Sequence, residues 1–215
     1  MTTQALDLLE AALLLAALRT VAAHRLGDYV GGFVLQSAAL AGIATVLGTV
    51  GGNVDLLVVA GMTLVVKAGV VPRILRRVAA ELPAERGVRS AMSLPASVVA
   101  AIWLAVLSFL ASARISAGMA SPGMPQLGVA ISVVLIGLFL ISSRRHVVAQ
   151  LVGLLTLENG MLSGALAVAP GMPWIIEFGV LIDVLVAVSV MGLLVTLIHR
   201  ELATADTTEL RRLRG

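Results

Sequence analysis

Lys67, Glu158 and Asp183 are ionisable residues that lie inside long apolar stretches of this 215-residue sequence. A charged side chain at the centre of a membrane-spanning helix costs about 2.5–3.5 kcal/mol even on lenient insertion scales. Residues of this kind are commonly retained because they move protons or ions through the bilayer. The three residues are therefore predicted to form a proton relay. Glu177, six residues before Asp183, is a further candidate for it, and the alternative there is a solvated carboxylate at the outer interface beside Trp174.

The sequence around Glu158 separates a packing face from the carboxylate. At about 100° per residue, Gly153, Gly160 and Gly164 fall on one face of a helix, and Glu158 points roughly 140–160° away. Because glycines allow membrane helices to approach closely, the glycine face is expected to pack against a neighbouring helix. The structural alternative for Glu158 and for Asp183 is a protonated acid that only hydrogen-bonds another helix.

Lys67 is the only lysine of the chain and is followed by Pro72. A proline inside a helix has no backbone N–H to donate to the carbonyl four residues earlier, so it loosens the helix beside the charge. We expect Lys67 to form a charge pair, or to exchange a proton, with a carboxylate on another helix, although the sequence does not show which one. The alternative is a lysine whose side chain extends to the inner membrane interface.

Three histidines, His24, His146 and His199, lie at the predicted cytoplasmic ends of helices. Anchoring at the membrane interface is one interpretation, and proton uptake at His24 and His146 is the other. The sequence contains no metal-ligand motif, phosphate-binding loop or nucleophile elbow. It also contains no cysteine. The chain is therefore predicted to hold no cofactor and not to be an enzyme on its own.

The composition is that of an integral membrane protein. Hydrophobic residues make up 59% of the chain and charged residues 13%, whereas about a quarter of a soluble domain is charged. A helix needs about 20 apolar residues to cross a bilayer. Seven runs approach this length: 6–23, 29–50, 54–75, 95–117, 127–142, 147–169 and 174–198. We predict an all-α protein of about seven transmembrane helices in contact with membrane lipids.

Arginines between the runs predict the orientation, since cytoplasmic loops collect positive charge. With the N-terminus outside and the C-terminus inside, the inner loops hold most of these arginines: Arg25, Arg73, Arg76, Arg77, Arg86, Arg89, Arg144, Arg145, Arg200, Arg211, Arg212 and Arg214. The positive charge is thereby explained as a topology signal, and no nucleic-acid partner is predicted. Asp7 and Glu10 stand where a signal peptide would be positive, so the first run is predicted to be retained.

A shift of the chain against itself by 122 positions predicts an internal repeat. The shift aligns the following pairs: His24 with His146, Gly31 with Gly153, Gln36 with Glu158, Gly42 with Gly164, and Asp55 with Glu177. Two three-helix units of one orientation would be parallel repeats. The predicted segments are a first unit at 1–77, a cytoplasmic linker with the fourth helix at 78–120, a second unit at 121–199, and a basic cytoplasmic tail at 200–215.

Four segments of the chain resemble hydrogenase-4 component E, a membrane subunit of formate hydrogenlyase-type complexes. They are L-V-G-L-L-T-L-E-N-G at 151–160, W-I-I-E-F-G-V-L-I-D at 174–183, L-Q-S at 35–37, and V-K-A-G-V-V-P at 66–72. The C-terminal three helices are also similar to the K-like subunit of respiratory complex I and the C-like subunit of cation/proton antiporters. In those families two adjacent helices each carry a carboxylate of a proton path, and Glu158 and Asp183 occupy the matching helices.

The resemblance implies a non-catalytic subunit of a membrane-bound hydrogenase or formate hydrogenlyase-like complex in a bacterial or archaeal inner membrane. Its expected partners are antiporter-like membrane subunits and a hydrogenase-like peripheral arm. A nickel–iron centre and iron–sulfur clusters would belong to those partners. The alternatives are a small secondary transporter that works alone and a scaffold subunit whose carboxylates only hold helices together.

Overall fold

A computed structural model of the chain describes residues 2–81, 91–116 and 124–168, and every regular element within these ranges is a helix. The elements are α1 (Thr2–Val21), α2 (Leu26–Gly51), α3 (Val54–Met62), a π-helical segment (Thr63–Val70), α4 (Val71–Glu81), α5 (Leu94–Ser116), α6 (Met124–Ser143) and α7 (Val147–Val168). The chain divides into two compact units, residues 1–179 and 180–215, and all described residues belong to the first.

Five helices of the described chain are long and apolar enough to cross a membrane. They are Leu26–Gly51, Val54–Arg77, Leu94–Ile115, Pro125–Ser143 and Val147–Val168. The prediction of a helical membrane protein is thereby confirmed. The count of seven helices, the orientation and the repeat stay predictions, and the run 174–198 lies outside the described residues.

The first predicted run does form a helix, α1, but α1 is not among those five. It carries Asp7, Glu10 and Arg19 among its leucines and alanines. Its 20 residues correspond to about 30 Å at a rise of 1.5 Å per residue. The last residue of α1, Val21, corresponds to the last residue of α6, Ser143, after a shift of 122 positions.

The turn between α2 and α3 is short because its residues suit a reversal of the chain. Gly52 adopts a left-handed conformation with φ of 61°, which costs glycine little because it has no Cβ. The side-chain oxygen of Asn53 then accepts a hydrogen bond of 3.0 Å from the backbone N–H of Asp55 and caps α3. These contacts place α3 directly beside α2.

The described helices form a bundle in which α2 has the most neighbours. Helix α1 packs against α2, α5 and α6, helix α6 packs against α5 and α7, and α2 also packs against α3, the π segment and α7. The π segment and α7 are thus both in contact with α2, which positions the ionisable side chains of these two elements near each other.

Candidate functional site

Lys67 lies within the π segment, which interrupts the helix predicted at 54–75. At the end of this segment the N–H of Val71 donates to the carbonyl oxygen of Val66, five residues earlier. Pro72 follows at once; its ring would clash with a carbonyl four residues earlier, and it has no N–H to donate. Short π segments are rare in proteins and occur frequently at functional sites. The loosening that Pro72 predicts therefore takes the form of a widened turn around Lys67.

Lys67 and Glu158 form a buried ion pair. The distance from Lys67 Nζ to Glu158 Oε1 is 2.7 Å, and the two side chains are 1% and 5% exposed. Lys67 Nζ also donates a hydrogen bond of 3.2 Å to Oδ1 of Asn159, 92 positions later in the sequence. The pair therefore connects the π segment to the middle of α7 and is enclosed by the protein.

Burial limits what the pair contributes to stability. Two opposite charges attract strongly where water is excluded, but each also loses its hydration, so the net stabilisation by a buried pair is small. Transfer of a proton from Lys67 Nζ to Glu158 Oε1 would turn an ammonium and a carboxylate into a neutral amine and a neutral acid, and would create no net charge.

Glycines hold α7 close to α6 on the side away from Glu158. A Cβ on Gly160 would lie 2.6 Å from the backbone nitrogen of Val134, and a Cβ on Gly153 would lie 2.9 Å from that of Ile141. A Cβ on Gly137 of α6 would meet the backbone nitrogen of Leu157. Gly164 has more space, because its Cβ would meet only Ala130 Cβ, at 3.4 Å. Backbone-to-backbone contact with α6 thus determines where α7 presents Glu158.

Gly160→Ala is expected to destabilise the folded chain by about 1–3 kcal/mol, because backbone atoms of α6 must move to admit the methyl group. Thermal unfolding of the purified chain in detergent measures this as a lower midpoint. Gly61→Ala is the matched control, since Gly61 is helical and nothing lies within 4 Å of its added Cβ. An unchanged midpoint for Gly160→Ala would contradict the close packing of α6 and α7.

Arg144 is a buried cation that the sequence assigned only to a cytoplasmic loop. It is 2% exposed, and its Nη2 donates a hydrogen bond of 2.7 Å to the carbonyl oxygen of Val21 at the end of α1. Its guanidinium carbon lies 6.0 Å from the centre of the Tyr29 ring. The carbonyl oxygen of Arg144 accepts a hydrogen bond of 2.8 Å from Nε2 of Gln150 in α7. We call this region, where Arg144 joins α1 to α7, the Arg144 end of the bundle.

A second buried polar contact joins α1 to α2. Gln36 Nε2 donates a hydrogen bond of 3.0 Å to Thr20 Oγ1, and this hydroxyl donates to the carbonyl oxygen of Ala16 at 2.8 Å. Under the shift of 122 positions, Gln36 corresponds to Glu158 and Ser37 to Asn159. In this alignment of the sequence with itself, a neutral amide of α2 corresponds to the carboxylate of α7.

Of the other residues predicted for the site, the structure describes only His146 and His24. His146 is half-buried at the start of α7, where its Nδ1 accepts a hydrogen bond of 3.2 Å from the N–H of Val148. His24 is exposed in the connection between α1 and α2. Asp183, Glu177 and His199 lie outside the described residues. Within the described ranges, no group of three or more histidines and acidic residues could hold a metal ion.

The fold and the site define a class: a multi-helix membrane protein with a buried lysine–carboxylate pair. The chain is 34% identical over 183 residues to the uncharacterised protein Rv0085 of Mycobacterium tuberculosis, covering 83% of this chain and 82% of that protein. The chain therefore belongs to the same family as Rv0085.

A second set of relatives has a more informative description. The chain is 29% identical over 187 residues to hydrogenase-4 component E of Escherichia coli K12, covering 86% of both chains, and the same values hold for component E of Shigella flexneri. The resemblance to component E is thereby confirmed as distant homology over most of the chain. Similarity to complex I and antiporter subunits stays a prediction. No protein-family model and no solved structure matches the chain.

Proposed function

We propose that this chain is a membrane subunit of a hydrogenase-type complex and that its Lys67–Glu158 pair carries protons through the membrane part of that complex. One observation carries the proposal: an enclosed ion pair of 2.7 Å lies between the π segment and α7 in a chain distantly homologous to hydrogenase-4 component E. A buried pair contributes little net stability, so a role in proton transfer accounts for it better than a purely structural one.

In the proposed path Glu158 accepts and releases the proton. Lys67 is charged when Glu158 is a carboxylate and neutral when Glu158 is protonated. Asn159 keeps Lys67 Nζ beside the carboxyl group of Glu158 when the pair is neutral, because its hydrogen bond with Nζ does not depend on the charge of Glu158. Asp183 and Glu177 are proposed as further relay groups, and His146 and His24 as groups that take up protons. The N-terminus is proposed to face outward and the C-terminus the cytoplasm of a bacterial or archaeal cell.

The partners proposed for the chain are antiporter-like membrane subunits and a hydrogenase-like peripheral arm. The sequence has no cysteine, so thiolate ligands for a nickel–iron centre or iron–sulfur clusters would have to come from those partners. The chain itself is proposed to bind no cofactor and to catalyse no reaction alone.

We also propose that the chain arose by duplication of a three-helix unit. The ends of α1 at Val21 and of α6 at Ser143, which coincide after a shift of 122 positions, support this origin. The correspondence of the buried residues Gln36 and Glu158 supports it as well. Under this proposal, the second copy carries the ionisable group, whereas the first copy keeps a neutral hydrogen bond between Gln36 and Thr20.

Affinity purification in a mild detergent, followed by mass spectrometry, tests the assignment to a complex. A tagged chain expressed in its own host is expected to bring down antiporter-like membrane chains and hydrogenase-like soluble chains in fixed ratios. A chain that purifies only as a monomer or a homodimer would contradict the proposal and would favour a transporter that works alone.

A further inference from the structure

Glu10 is a buried carboxylate that plays no part in the Lys67–Glu158 pair. It lies on α1 and is 5% exposed. Within residues 2–81, 91–116 and 124–168, no side chain forms an ion pair or a hydrogen bond with its carboxyl group. This position differs from that of Asp7, which is one turn earlier on α1 and is exposed.

Glu10 and Glu158 lie at similar depths in the bundle. Glu10 is eleven residues before the end of α1 at Val21, and Glu158 is eleven residues after the start of α7 at Val147. At a rise of 1.5 Å per residue, each carboxylate is about 16 Å from that end of its helix. The two ends are held together, because Arg144 bonds to Val21 and to Gln150 of α7.

The described helices that pack against α1 bring no cation to this depth. Helix α6 contains no ionisable residue, and α5 contains only Arg114, which is exposed in its last turn. Helix α2 contributes Asp28 and Tyr29, both in its first turns at the Arg144 end. On α1 itself, Arg19 is more than two turns from Glu10, and Leu9 points toward Gly42 of α2.

A carboxylate on so little-exposed a residue, with no cation or hydrogen-bond donor from the described residues, is disfavoured in its ionised form, and such a group remains buried by keeping its proton. A purely structural acid would normally use that proton in a hydrogen bond, yet none is formed to a described residue. The position is therefore suited to an acid whose proton is exchanged.

We propose that Glu10 is a second proton-binding site of the bundle, a carboxylic acid on α1 that exchanges its proton independently of the Lys67–Glu158 pair. The site goes beyond the proposed function, because it requires neither the assignment to a hydrogenase-type complex nor a working Glu158. It places one proton-binding carboxylate in each half of the described chain: Glu10 on α1 and Glu158 on α7.

Infrared difference spectroscopy of the full chain in membranes tests the site. The spectrum of the wild type minus that of Glu10→Gln is expected to contain a carboxylic-acid C=O band at neutral pH. The band should shift down in D2O, because the proton exchanges, and should disappear at alkaline pH. Asp55→Asn, at an exposed carboxylate of α3, and Glu158→Gln are the matched controls, and both should retain the band.

Two results would contradict the proposal that Glu10 is a proton-binding site. One is the absence of the acid band at neutral pH, which would mean that Glu10 is ionised there. The other is a band that neither shifts in D2O nor disappears at alkaline pH, which would mean a fixed structural acid.

If Glu10→Gln does not fold, labelling of the wild-type chain with a hydrophobic carbodiimide shows whether Glu10 is a protonated acid. This reagent modifies protonated carboxyl groups in apolar surroundings. An adduct on Glu10 that declines as the pH rises supports the proposal, and an unmodified Glu10 at every pH overturns it. Both measurements report on Glu10 itself, so their failure is distinguishable from failure of proton transfer at Glu158.

Discussion

Glu158→Gln is expected to abolish proton translocation by the assembled complex while the chain remains in it. Glutamine has nearly the shape of glutamate. Since Lys67 Nζ lies 2.7 Å from Oε1 of Glu158 in the wild-type chain, it can still donate a hydrogen bond to the side-chain oxygen of the glutamine. The contact of Lys67 with Asn159 is also retained. The amide, however, cannot take up or release a proton in the accessible pH range, so the path is interrupted at this position.

The measurement is the pH change across the membrane of inverted vesicles during electron transfer, made together with the rate of the redox reaction. Asp55→Asn is the matched control, since it makes the same chemical change at an exposed carboxylate in the first turn of α3. The control should translocate protons at the wild-type rate. In Glu158→Gln the proton signal should fall to the level of vesicles treated with an uncoupler.

Glu158→Leu separates this role from that of a scaffold. Leucine can neither carry a proton nor accept a hydrogen bond from Lys67, so this variant should lose assembly as well as translocation. If Glu158→Gln translocates normally and only Glu158→Leu fails, Glu158 is a structural residue and the relay is refuted. The amount of chain that co-purifies with its partners distinguishes these outcomes.

The sequence predicted the residues of the pair but not their contact. Lys67 and Glu158 could be singled out because a charge inside a long apolar run is costly wherever the run packs. Their contact depends on the way in which α2 brings the π segment and α7 together, and no local pattern specifies that arrangement. Pro72 indicated a loosened helix, whereas its π form depends on the packing of the whole segment against α2.

Glu10 and Arg144 could not be recognised as buried from the sequence. Arg144 stands beside Arg145 in a connection between two apolar runs, and both looked like topology signals. The structure buries Arg144 and exposes Arg145, because only Arg144 reaches the end of α1. Glu10 lies between Asp7 and Arg19 in a helix with apolar residues on all sides, so its pattern gave no indication of which face is enclosed.

The glycines of α7 were more predictable, because their helical spacing alone places them on one face. The structure adds the partner helix α6 and the depth of contact, which is greatest where Gly137 approaches Leu157. The sequence indicated only half of this contact, since Gly137 lies on a different helix and has no spacing relation to the glycines of α7.

Lys67→Leu is expected to destabilise the folded chain more than the double variant Lys67→Leu/Glu158→Leu does. Removal of one partner of a buried ion pair costs about 3–5 kcal/mol, because the other charge is left enclosed and uncompensated. Replacement of both partners by apolar residues is often neutral or even stabilising. The second substitution should therefore restore much of the stability that the first one removes.

Thermal unfolding of the four chains of this double-mutant cycle in one detergent measures the difference. Arg76→Leu is the matched control, since Arg76 is an exposed cation on α4, and exposed charges contribute little to stability. A double variant whose loss equals the sum of the two single losses would mean that Lys67 and Glu158 act independently, which contradicts the ion pair. If the double variant is as stable as the wild type yet does not translocate protons, stability does not explain why the pair is present, and proton transfer does.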